Sequence, residues 1–236
     1  EFMIGSDASF AGRGSYFRGH GNYKIFDYYK AVSEGKIPED YWVWWGYEDT
    51  KLIDFAKQEI LALAEGEEPF NFTMLTVDTH FTDGYVCGKC RKEFDSQYSN
   101  VIACSSSQIA AFIDWIMQQD FYENTTIIVS GDHLTMDPAY IQLEGAENFD
   151  RKTYFTIINP AHNGTEKVMQ RSYTTMDIYP TTLAGLGVEI EGDRLGLGVN
   201  LFSDMPTLYE ELGEEYLNEE LLKNSKLYTK KLLYGN

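Results

Sequence analysis

The sequence predicts an α/β domain built around a parallel sheet, and three observations carry that prediction. Helical and strand periodicities alternate along the chain, as they do when helices cross between parallel strands. Two short runs, Phe70 to Val77 and Thr125 to Val129, are rich in aromatic or β-branched residues, and the second is apolar enough to be a fully buried strand. Each run ends on a carboxylate and an imidazole, in Asp78-Thr79-His80 and in Gly131-Asp132-His133. Ligands of open α/β sheets bind beyond the carboxyl ends of the strands, so His80, Asp132 and His133 are expected to face one crevice. The competing assignment makes Asp132 a cap of the next element and leaves His133 in a loop.

From the amino terminus, Glu1 to Gly5 reads as the end of a strand entering a turn. The glycine-rich stretch from Gly5 to Ser15 fits neither phosphate-loop nor dinucleotide spacing. Arg13, between Gly12 and Gly14, is placed either to grip an anion with two nitrogens or to sit solvated in a loop. Tyr23 to Tyr29 resembles a short exposed strand. The aromatic knot Tyr41 to Gly46 suits a core or a lid, and such rings also stack on sugars.

Glu48 and Asp49 open an amphipathic helix over Leu52 to Ala64, with acid in its first turn. A second helix spans Ser107 to Gln119 and leads into the Thr125 strand. Tyr154 to Asn159 is a further strand, stopped by Pro160. Met176 to Leu186 forms a short helix ended by Gly187. Gly192 to Asp204 is a glycine-rich loop, and Leu208 to Leu233 has the pattern of a terminal amphipathic helix, acidic first and lysine-rich later. The chain is therefore expected to divide into a core, residues 1–205, and a terminal helical segment, residues 206–236. The sequons at Asn71, Asn124 and Asn163 are no more than chance supplies, and Asn71 lies in an expected strand.

Composition narrows the function. The 236 residues, 43% of them hydrophobic and 15% aromatic, support one packed core rather than disorder. A formal charge of −18 opposes binding to nucleic acid, and it requires any phosphate or sulfate ester to be met by a metal or a placed arginine. No apolar run reaches the length of a membrane span, and no export signal is expected in the sequence. Cys87, Cys90 and Cys104 lie close in sequence. Cys87-Gly-Lys-Cys90 lacks the second pair or the histidine of a zinc finger, so a disulfide from Cys104 to Cys90 or Cys87 is expected, with its oxidising compartment.

Taken together, several motifs resemble one family over nearly the whole chain. They are Met3-Ile4-Gly5-Ser6-Asp7-Ala8-Ser9-Phe10 with Arg13, Asp78-Thr79-His80-Phe81-Thr82-Asp83-Gly84-Tyr85, Gly131-Asp132-His133, Thr175-Met176-Asp177-Ile178-Tyr179-Pro180-Thr181 and Leu195-Gly196-Leu197-Gly198. The set is similar to the lipoteichoic-acid synthase and phosphoglycerol transferase I branch of the alkaline phosphatase and sulfatase superfamily. That resemblance implies a three-layer α/β/α sandwich. It implies an enzyme that moves glycerol phosphate from a phosphatidylglycerol-type phospholipid donor to a glycan or polyol acceptor, outside the cytoplasmic membrane.

The resemblance also implies roles. Asp132 and His133 match two ligands of a divalent metal, usually manganese, with zinc, magnesium or calcium as other candidates. His80 matches a catalytic and substrate-binding histidine on the phosphate and leaving-group side, and Arg13 the arginine that holds the phosphate. Cys90 and Cys104 match a paired cystine of the periplasmic transferases. The family's threonine nucleophile, its first acidic metal ligand and its membrane helices lie upstream of the segment matching Glu1 to Arg13, so this chain is expected to be the carboxyl-terminal part of a catalytic domain and to need that upstream half as a partner. A sulfatase, phosphodiesterase or phosphonate hydrolase of the same superfamily is the nearest alternative. A non-catalytic glycan-binding fragment using Trp42 to Trp45 is the alternative from another class.

Overall fold

The computed structural model describes residues 1–145, 147–162, 164 and 170–233. Its chain contacts divide it into two compact units, one of residues 1–122 and 132–152, the other of residues 123–131 and 153–236.

The first unit is organised on a parallel sheet. β1 (Phe2–Ile4) is its central strand, and all three residues are buried. α1 (Arg13–Gly21) follows, where the glycine-rich sequence gave no helical signal. Gly14, Gly19 and Gly21 each lower intrinsic helix propensity, and the helix forms through tertiary packing instead. Phe17 of α1 stacks on Phe2 with ring centroids 4.0 Å apart. β2 (Ile25–Phe26) pairs parallel with β1, and Asp27 caps the helix after it, α2 (Tyr28–Ser33), by accepting from Lys30 N–H. The strand expected over Tyr23 to Tyr29 is thus two residues long, and its Phe26 is fully buried rather than exposed.

α3 (Asp49–Ala64) buries Leu52, Ile53, Ala56 and Ile60 at helical spacing. The leucine and the two isoleucines each contribute about 1.5–3 kcal/mol by leaving water, and the Ala56 methyl less. β3 (Thr73–Leu75) lies on the other side of β1, also parallel, giving the order β2-β1-β3. α4 (Gln97–Met117) begins ten residues before the helix expected from Ser107, capped by Ser96, whose side chain accepts from Ser99 N–H. Its first turns blur the periodicity because their buried face is mixed: polar Asn100 and Ser105 are inside beside Tyr98, Val101 and Cys104. Asn100 accepts from Glu93 and Phe94 N–H and donates to Phe94 and Ser96 carbonyls, so none of its capacity is wasted. α5 (Pro138–Leu143), capped by Asp137, completes the unit.

The second unit holds β4 (Ile127–Ser130) and β5 (Phe155–Ile158), paired antiparallel from Ile127 opposite Ile158 to Ser130 opposite Phe155. This corrects the expectation that the Thr125 run is a buried parallel strand. Among the described residues β4 pairs with β5, and Ile128 is exposed. An apolar run reports strand character, but it carries no information about the direction of the neighbour. α6 (Ile178–Gly185) is preceded by a capping box in which Thr174 and Asp177 bond each other's backbone. The loop expected over Gly192 to Asp204 contains a small antiparallel ladder, β6 (Arg194–Leu195) with β7 (Gly198–Val199).

The terminal helix is broken. α7 (Leu208–Leu212) and α8 (Glu214–Leu221) are separated by Gly213, at φ 76° and ψ 162°. Amphipathic spacing continued through that position, but a residue in the left-handed half of the map ends a helix. Among the described residues no helix is long and apolar enough to cross a membrane. The sequon at Asn163 lies outside the described residues.

Candidate active site

The candidate site residues Arg13, His80, Asp132 and His133 lie in the first unit, in three segments. The first follows β1, the second follows β3, and the third begins at Asp132.

The loop after β3 is locked by a buried acid pair. Asp49, the first residue of α3, accepts from Val77 N–H (2.8 Å) and Asp78 N–H (3.0 Å), while Asp78 accepts from Asp49 N–H (3.1 Å). Burial drives both carboxyls above the ordinary range. Asp78 rises to about 8, helped by the charge of Asp49, and Asp49 rises to about 6 against the downward pull of its two backbone donors. Asp78 Oδ2 is buried without a hydrogen-bond partner, which suits a carboxyl that keeps its proton. The Asp of Asp-Thr-His is therefore a structural clamp, and the histidine is what the clamp presents.

Gly84 closes the same loop. At φ +65° it carries no side chain, and a Cβ there would stand 2.7 Å from both Asp78 O and Val101 Cγ1. His80 is half-buried. Its Nδ1 lies 2.6 Å from Phe81 O, so a proton on Nδ1 leaves Nε2 as the free ring nitrogen. Trp45 packs on the ring at 4.9 Å between centroids, and Phe10 lies 6.3 Å beyond Trp45. The Arg13 guanidinium sits 5.2 Å over the Phe10 ring. Arg13 opens α1 instead of lying in a loop. The aromatic knot accordingly works as a partition: Trp44 Nε1 donates to Val77 O (3.3 Å), while Trp45 stays 42% exposed beside His80.

On the third loop Asp132 Oδ2 and His133 Nε2 are 3.5 Å apart, and both side chains are more than half exposed. His133 Nδ1 is 2.7 Å from Leu134 O, so a proton on Nδ1 leaves the Nε2 lone pair free for a metal. Two ligand atoms on one ion at about 2.1 Å stand about 3.5 Å apart when the angle between them is near tetrahedral, so the pair fits half of a divalent metal shell. Among the described residues no third His, Cys, Asp or Glu joins them, and His80 stands outside the pair.

Tyr98 links the second and third loops. From α4 its hydroxyl donates to Thr79 O (2.7 Å) and lies 3.0 Å from Thr135 Oγ1. One phenol thereby touches the residue before His80 and the residue two beyond His133. Sequence reasoning passed over Tyr98, since an aromatic on a helix gives no sign of what its hydroxyl meets. The contacts that relate the four candidates run through Phe10, Trp45 and Tyr98. The group types so arranged, a metal-ligand pair on one loop, an imidazole on a second and a guanidinium at the start of α1, are those that meet a tetrahedral anionic ester.

The model of the family described as Sulfatase matches residues 2–188. The chain belongs to the sulfatase family. Among curated relatives, phosphoglycerol transferase I of Salmonella choleraesuis (strain SC-B67) is 31% identical over 227 residues, covering 92% of this chain and 28% of that protein. Phosphoglycerol transferase I of Salmonella arizonae is 30% identical over the same shares. This sulfatase-family chain thus spans little more than a quarter of the length of those relatives. In fold it is similar to an alkaline phosphatase superfamily protein from Vibrio parahaemolyticus, with a TM-score of 0.61 at 20% identity over 83% of this chain and 48% of that one. It is also similar to the lipoteichoic acid synthase LtaP from Listeria monocytogenes, with a TM-score of 0.63 at 17% identity over 85% and 52%. The fold is that of the alkaline phosphatase superfamily.

The cysteines depart from expectation. Cys87, Cys90 and Cys104 are all free, so the expected bond between Cys90 and Cys104 is not formed. Cys87 Sγ lies 3.6 Å from Cys90 Sγ and 3.8 Å from Cys104 Sγ, far beyond the roughly 2.05 Å of a disulfide.

Proposed function

We propose that this chain carries the metal- and phosphate-facing part of a phosphoglycerol transferase. The observation that carries the proposal is the Asp132–His133 pair, set at the spacing of two ligands on one ion and tied to the His80 loop by the Tyr98 hydroxyl. The names of the curated relatives support the transfer of phosphoglycerol. Asp132 and His133 hold a divalent metal, of which manganese suits a carboxylate and imidazole pair. Such an ion, when bound, polarises a phosphoryl oxygen and lowers the pKa of an attacking hydroxyl.

The chain's own residues then have distinct tasks. Arg13 neutralises charge on the phosphate oxygens through its fork of donors. His80, turned by its Phe81 contact and walled by Trp45, presents its free Nε2 to the leaving-group side. The donor is a phosphatidylglycerol-type lipid, which puts the reaction at the outer face of the cytoplasmic membrane, and the acceptor is a glycan or polyol hydroxyl. The family's Sulfatase description favours one second assignment, ester hydrolysis with water as acceptor.

The test is glycerol-phosphate transfer from phosphatidylglycerol to a polyol, with and without Mn²⁺, in the protein that joins this chain to its nucleophile segment. Asp132→Ala is expected to lower the rate at least about 100-fold, the loss of several kcal/mol of charge stabilisation. An unchanged rate would reject the metal assignment. Turnover of sulfate esters without transfer would move the assignment to hydrolysis.

A further inference from the structure

We propose that Cys87, Cys90 and Cys104 form a trithiolate site for a soft divalent metal ion such as Zn²⁺, separate from the Asp132–His133 pair. No step of the proposed transfer uses these thiols. All three sulfurs lie within 4.8 Å of one another, which among the described residues makes them the one group of three or more metal-ligating side chains gathered at a point. The individual spacings decide between a metal and a bond. A tetrahedral ion with Zn–S bonds of about 2.3 Å separates its sulfurs by about 3.8 Å. Cys87 stands 3.6 Å from Cys90 and 3.8 Å from Cys104.

The surroundings fit ligation as well. Cys90 N–H donates to Cys87 O (3.1 Å), folding Cys87-Gly-Lys-Cys90 into a tight turn that aims both sulfurs the same way. Gln108, one helical turn after Cys104, donates through Nε2 toward Cys87 (3.7 Å) and Cys104 (3.6 Å). Thr50 donates to Gln108 Oε1 (2.8 Å) and orients that amide, and its hydroxyl lies 3.5 Å from the Cys87 sulfur. Donors converging on sulfur stabilise thiolates and orient them as ligands.

On binding, three S–H protons pass to solvent and three S–metal bonds form, and a water completes the fourth position. Thiolates select Zn²⁺ over Mn²⁺, while a carboxylate and imidazole pair serves the harder ion, so the two sites divide the metals by ligand class. The ion would fasten the 87–90 loop to α4, the helix that also carries Tyr98.

The test uses the full chain, purified under reducing conditions and stripped with a chelator, with Co²⁺ as a spectroscopic probe. One equivalent is expected to give sulfur-to-cobalt charge transfer in the near ultraviolet and the visible bands of a tetrahedral ion. Zn²⁺ should abolish both, and Mn²⁺ should leave them. Cys90→Ser, at the half-buried position, is expected to weaken Co²⁺ binding more than about 100-fold, beyond what loss of an outer partner produces, with an unchanged far-ultraviolet circular dichroism spectrum. Alkylation mapped by mass spectrometry should find all three cysteines protected in the zinc-loaded chain. Absence of the charge-transfer band in the wild type, an undiminished band in Cys90→Ser, or a Cys90–Cys104 disulfide in chain isolated without reductant would each overturn the site.

Discussion

Asp49 and Asp78 show how one residue type does opposite work at two positions a few ångströms apart. Asp49 accepts from two backbone N–H groups, whereas Asp78 accepts one and keeps its second oxygen buried and unpaired. Asp78 titrates near 8 in the fold and near 3.9 unfolded. The native state therefore holds a proton that the unfolded state has released, and stability falls as pH rises from about 4 to about 8. Asp78→Asn, which mimics the protonated carboxyl, is expected to match wild type in thermal unfolding at pH 5 and to exceed it at pH 8. Asp49→Asn turns an amide donor toward a backbone N–H and should cost about 1–3 kcal/mol across that range. Identical pH profiles for Asp78→Asn and wild type would remove Asp78 as the titrating group. Tyr98→Phe deletes the hydroxyl between Thr79 and Thr135 and should cost only about 1 kcal/mol in stability. Its expected effect on transfer is larger, about tenfold in kcat, because positioning errors between reacting loops are amplified in rate. At this scale residue type and motif single out His80, Asp132, His133 and Arg13 as the candidates. They leave Asp78 undivided from His80, and they hide Tyr98, since a partner 19 or 37 positions away has no local signature.

Elements were legible where burial is apolar and periodic, as in α3, and illegible where propensity or polarity masks it. α1 is the clearest case: glycine at positions 14, 19 and 21 suppresses the helical signal, yet the stacking of Phe17 on Phe2 holds the helix. A Cβ at Gly19 would meet nothing within 4 Å, so Gly19→Ala is expected to stabilise the chain by about 0.5–1 kcal/mol, read as a rise in thermal midpoint. Gly84→Ala should do the reverse, because its Cβ enters the space of Asp78 O and Val101 at a positive φ. α4 is legible only in its second half, because the buried face of its first half mixes Tyr98 and Val101 with Asn100 and Ser105, and the bonds that satisfy Asn100 have no sequence signal. The direction of β4 was misjudged for a related reason. Side-chain pattern records which faces are dry, and pairing sense depends on the neighbour that a distant stretch supplies.

For the molecule as a whole, the α/β class and the family were readable because motifs spread across most of the length agree with one another. The formal charge of −18 acts on the molecule as a unit. Self-repulsion among surface carboxylates opposes the compact state and weakens with screening, so the thermal midpoint is expected to rise as ionic strength goes from about 0.01 to 0.15 M. A flat or falling midpoint in a salt titration would show that local ion pairs outweigh the net field. The proton lodged on Asp78 has a consequence in heat. Unfolding near neutral pH expels that proton into the buffer, so the calorimetric enthalpy of unfolding includes the buffer's own heat of protonation. Phosphate and Tris solutions at the same pH should therefore report different enthalpies for one and the same transition.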